Sequence, residues 1–104
     1  MDVAEKVEAL KGWLSNRMGA EVEAGFDPVA DTYWFRIQLD APLPPMLSVR
    51  KSVLEDHSVE ELQDDLRQLE VPGILGKEPA PHLVYERSGE VKMITLTKII
   101  ERLI

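Results

Sequence analysis

The apolar residues of this chain change period along its length, from helical to strand-like and back, and that alternation restricts the fold more than any other feature. Val3, Val7, Leu10, Leu14 and Met18 recur every three or four residues, the spacing of one helix face. Asp2 and Glu5 stand where a helix cap and its reciprocal partner belong, and Gly19 where a left-handed residue ends a helix. Gly12 is a weak point inside that helix, costing roughly 1 kcal/mol against Ala. Ala20 to Phe26 and Thr32 to Leu39 then alternate with period two around Asp27-Pro28, which predicts a hairpin. Tyr33, Phe35, Ile37 and Leu39 fall on one face of it.

Three prolines at 42, 44 and 45 remove three backbone donors, so 40–45 reads as a connector. Met46 to Val53 reads as a third strand. Ser58 and Glu61 repeat the capping-box pattern ahead of Val59, Leu62, Leu66 and Leu69, so a second helix is expected, stopped by Pro72-Gly73. Residues 74–81 read as a loop. His82–Arg87 and Glu90–Leu96 flank Ser88-Gly89, the composition of a tight hairpin. Residues 97–104 continue as a short helix capped by Thr97 or as more strand. The predicted fold class is α+β, in the order α-β-β-β-α-β-β-(α). A mostly antiparallel sheet of about five strands carries two main helices on one face. With 104 residues and no linker or repeat, the chain reads as a single domain over 1–104.

Charge and composition narrow the function. The formal net charge is -7, which argues against nucleic acid as a partner, since phosphates meet a repulsive surface. Seven acids against Arg67 alone lie in 55–70, and five acids against Arg36 alone in 18–40. No cysteine is present, which excludes disulfides, thiolate metal sites and a cysteine nucleophile, and fits a cytoplasmic protein. No apolar run approaches the length of a membrane span, and the N-terminus lacks a secretory pattern, so no membrane partner is expected.

No catalytic or metal signature stands out, and no cofactor is expected. The six glycines are scattered rather than gathered into a phosphate loop, and no serine sits in a nucleophile elbow. His57 lies four residues before Glu61, but no calcium-loop or paired-histidine spacing accompanies it. His82 has the chemistry of a general base with no nucleophile marked beside it, and a structural histidine at a strand edge is the plainer explanation. Pro42-Leu43-Pro44-Pro45 has a Pro-x-x-Pro spacing better explained as a sheet connector.

The surface pattern is more informative. The last hairpin is apolar on both faces and needs cover on both. Trp34 opposes Tyr33, Phe35 and Ile37 in parity, so it sits with Thr32, Arg36 and Gln38 on the more polar face. An aromatic side chain there is either packed under the C-terminal segment or held for a partner. The expected function is therefore a non-catalytic protein-binding module of the small acidic dimeric chaperone-like or adaptor type. Its partner is a protein of unspecified identity, and a homodimer is one way to cover the surplus face. The expected contact residues are Trp34, Arg36, Glu60, Glu61, Asp64 and Asp65. The alternative is a small enzyme or ligand-binding domain using His82 or the surface carboxylates.

Overall fold

The structure is a computed structural model that describes residues 2–39, 44–76, 82–87 and 90–94. The chain runs α1 (Val3–Met18), β1 (Val22–Asp27), β2 (Thr32–Ile37), β3 (Met46–Arg50), α2 (Lys51–Asp56), α3 (Val59–Gln68), α4 (Val71–Leu75), β4 (His82–Arg87) and β5 (Glu90–Ile94). The expected α+β class and order are observed, with two additional short helices, α2 and α4.

Both main helices start and stop where their side chains permit. The Asp2 carboxylate accepts from the Glu5 N–H at 2.8 Å, and Gly19, at φ 63°, turns its own N–H back to the Ser15 carbonyl. Ser58 and Glu61 form the reciprocal box at the head of α3. The buried stripe of α1 is Lys6, Val7, Leu10 and Leu14; that of α3 is Val59, Leu62 and Leu66.

The five strands lie in the order β1-β2-β3-β4-β5. Every adjacent pair is antiparallel except β3 and β4, which run parallel with Leu47 opposite Leu83 and Val49 opposite Tyr85. A parallel step requires a long crossover, and the segment carrying α2, α3 and α4 supplies it. Phe35, Ile37, Leu47, Val49, Leu83 and Tyr85 point to one side and are buried at 0–1% exposure in a single core with the helix residues. That side is the inner face. Asp65 on α3 accepts a hydrogen bond from the Tyr85 hydroxyl, which fixes α3 over β4.

Three expectations require correction. Lys51 to Val53 do not extend β3: the chain enters α2 at Lys51, and Val53 and Leu54 bury themselves as helix residues. Pro72-Gly73 does not stop α3, which ends at Gln68. Pro72 instead lies in the first turn of α4, where its missing N–H has no helical partner to lose. Ile74 and Leu75, read as loop, complete that helix, and Leu75 is buried. The Thr97 cap, the choice of helix or strand for 97–104 and most of the proline connector fall outside the described residues.

Candidate functional site on the outer face of the sheet

Strand alternation places Glu23, Gly25, Trp34, Arg36, Ser48 and His82 among the residues of the face turned away from the helices. Trp34 pairs with Gly25 on β1 and with Ser48 on β3. Its indole lies across Gly25: a Cβ added there would collide with the ring edge and come within 2.9 Å of its Nε1. Glycine at position 25 is what lets the ring lie flat on β1. The Arg36 guanidinium stands 5.1 Å from the ring centroid, and Arg36 Nη1 lies 3.8 Å from Glu23 Oε2. Glu23 Oε2 also accepts from Gln38 Nε2 at 3.0 Å. The indole is half-buried and takes no part in the core cluster. Its orientation is set by a bare backbone beneath it and a cation beside it.

Two residues further along this face meet by virtue of the parallel β3–β4 pairing. The Ser48 hydroxyl lies 2.8 Å from His82 Nε2. Ser48 is buried at 8% exposure, and desolvation of the half-buried imidazole lowers the His82 pKa from its ordinary value. Sequence reasoning singled out His82 but not Ser48. Period two places Ser48 on the outer face, but the register that sets it beside a residue 34 positions away has no local signal.

The expected acidic contacts lie elsewhere. Glu60, Glu61, Asp64 and Asp65 belong to α3 in the helical layer, on the opposite side of the sheet from Trp34 and Arg36. Local structure accounts for three of them. Glu61 closes the capping box, Asp64 pairs with Arg67, and Asp65 accepts from Tyr85. Glu60 is exposed. The six expected contact residues therefore divide into two groups on opposite layers. His57 directs Nδ1 to the Val53 carbonyl at 3.0 Å, so it serves the end of α2 rather than the acids of α3. Among the described residues no three potential metal ligands converge, and no helix is long and apolar enough to cross a membrane.

Compared with known proteins, the chain matches no family model, no curated protein and no solved structure.

Proposed function

We propose that the chain is a non-catalytic protein-binding module, chaperone-like or adaptor-like, whose docking surface centres on Trp34. The observation that supports this is the position of the indole: outside the core, across Gly25 and beside Arg36. A tryptophan already fixed in one orientation buries a large area on docking while losing little further freedom. The cysteine-free composition fits a cytoplasmic setting. The test pairs two baits, wild type and Trp34→Ala, in quantitative affinity purification from the native cell. The expected result is at least one protein held by wild type and lost by Trp34→Ala; identical recoveries from the two baits overturn the reading. Light scattering at high concentration reads the second-copy option directly, since a dimer built on this face reverts to monomer in Trp34→Ala.

A second reading rests on Ser48 and His82. A neutral imidazole 2.8 Å from a hydroxyl is the arrangement of a base with its nucleophile. It predicts covalent labelling of Ser48 by a fluorophosphonate, abolished in His82→Gln. The low exposure of Ser48 weighs against this reading.

A further inference from the structure

β1 is a terminal strand of the sheet, and its far side is the most distinctive unoccupied feature among the described residues. Gln38 donates its N–H to the Glu21 carbonyl, so Glu21, Glu23, Gly25 and Asp27 turn their backbone groups toward β2. By alternation Val22, Ala24 and Phe26 turn their N–H and C=O groups away from the sheet. No described strand pairs with them.

Alongside this edge runs a groove between α1 and β1, made of two overlapping clefts of about 470 and 230 Å³ that share Lys11, Glu21 and Val22. Gly12 and Ser15 form its helical wall. A Cβ on Gly12 would meet nothing within 4 Å, so the helix is cut away where the groove passes. At the other end of β1, Phe26 stays 41% exposed, packed against Tyr33 with the rings tilted by 47° and their centroids 4.7 Å apart.

Resting on the protein-binding reading above, we propose that β1 receives an extended basic segment of the partner as an added strand. Main-chain hydrogen bonds to Val22, Ala24 and Phe26 hold it, and alternate side chains distribute between the two sides of the sheet. On the inner side its residues enter the α1–β1 groove beside Gly12, where Glu8, Lys11 and Glu21 make the wall polar, and one of them covers the exposed ring of Phe26, which selects an apolar group at that position. On the outer side they lie beside exposed Glu21 and beside Glu23 and Asp27, which already hold Arg36, Gln38 and the turn after β1 but leave this edge net negative. That selects Lys or Arg, with one apolar residue next to Gly25 against the edge of the Trp34 ring. The same acids decide between occupants. A second copy pairing β1 with β1 sets Glu21, Glu23 and Asp27 of one chain against those of the other, and like charges across paired strands are destabilising. A basic strand meets the opposite sign.

The experiment pans a phage-displayed library of random 12-residue peptides on the full chain and measures the best peptide by fluorescence anisotropy. The expected peptides alternate basic and apolar residues. Two variants test the mode of binding. Ala24→Pro removes an outward N–H and leaves the β1–β2 ladder intact, as proline is tolerated on strand edges. Gly12→Gln favours the helix and fills the groove, so any loss of binding by it is not a loss of folding. Each is expected to weaken binding at least tenfold, with circular dichroism unchanged. Failure to enrich peptides of this pattern, or a peptide bound equally by wild type and Ala24→Pro, overturns the inference. Binding lost in Trp34→Ala but kept in Ala24→Pro removes the added strand and leaves the Trp34 surface standing. Binding lost in Ala24→Pro but kept in Trp34→Ala supports the strand and removes Trp34 from the docking surface.

Discussion

Lys6 tests how α2 is held. It lies on the buried stripe of α1 at 9% exposure, and its ammonium donates to three backbone carbonyls at the end of α2. These are Leu54 O at 2.6 Å, His57 O at 2.7 Å and Glu55 O at 3.4 Å. A helix leaves its last carbonyls without intrahelical partners, and here a lysine from another helix supplies all three bonds. Lys6→Met keeps the aliphatic stem and removes the donors. A hydrogen bond to a charged group contributes about 1.5–3 kcal/mol, so the two short bonds set a gross loss of about 3–6 kcal/mol. The ammonium no longer has to be desolvated, and water reaches the exposed end of α2, both of which offset part of that loss.

The expected net destabilisation is about 2–4 kcal/mol, a large fraction of the ~5–15 kcal/mol typical of a domain. With a urea slope of about 1.5 kcal/mol/M, the unfolding midpoint falls by about 2 M. Native-state amide exchange should place the loss locally, with 53–57 opening faster than β2 or α3. Lys6→Arg, which keeps the charge but brings a broad planar head into a site shaped for a point donor, should lie between wild type and Lys6→Met. A midpoint shift under 0.5 M for Lys6→Met (roughly 0.75 kcal/mol at the same slope), or faster exchange spread evenly over the domain, would refute the bridge as the element holding α2.

Other perturbations read other parts of the structure. Gly25→Ala drives the Trp34 ring off β1, at a cost of about 1 kcal/mol; in a Trp13→Phe background its emission should shift to the red, and an unchanged spectrum contradicts the cradle. Tyr85→Phe deletes the hydroxyl that donates to Asp65 and should cost about 1.5 kcal/mol by urea unfolding, with the core otherwise intact. His82 has a folded pKa below its unfolded value, so the unfolded chain takes up the proton first as pH falls. Its contribution is fully present above about pH 6.5 and declines from there down toward the folded pKa. Wild type should therefore lose more stability than His82→Gln between pH 7.5 and 5.5, and parallel profiles would exclude His82 as the source.

What the sequence made legible depended on whether the signal was local. α1 and α3 were readable because period, cap and stop lie within each segment: Asp2 and Gly19 for one, Ser58 and Glu61 for the other. The parity of Tyr33, Phe35 and Ile37 was enough to separate the inner face from Trp34. α2 was misread because Lys51-Ser52-Val53 continues the apolar alternation of β3, while its stabilising partner, Lys6, lies 48 residues before Leu54. α4 was misread because proline both ends and begins helices, and only the left-handed Glu70 at φ 59° shows which occurs here. The outer-face pair of Ser48 and His82 was hidden for the same reason as α2. A parallel pairing that joins residues 34 positions apart leaves no mark on either strand. The acids of α3 show what a charge run leaves out of view: a cap, an ion pair and a bond to Tyr85 engage Glu61, Asp64 and Asp65 within the fold, and none of these partners is marked by the run itself.

The residues that remain unexplained by folding are themselves informative. Gly12 weakens α1, yet its missing Cβ relieves no contact, so Gly12→Ala should stabilise the chain by about 0.5–1 kcal/mol. Gly25 gives up strand propensity only to seat the Trp34 ring, Trp34 carries that large apolar ring outside the core, and Phe26 stays open to solvent. Each departs from the choice that local stability favours, and all four border β1: Gly12 across the groove, Phe26 and Gly25 on the strand, Trp34 over it. Sequences tend to depart from local optima where function requires it. If the four are independent accidents, combining Gly12→Ala with Trp34→Ala should leave binding of the selected peptide at β1 unchanged. If they serve one docking strand, the double variant should fold normally and bind nothing at β1. Retention of the selected peptide by such a variant would show that these departures have no common cause.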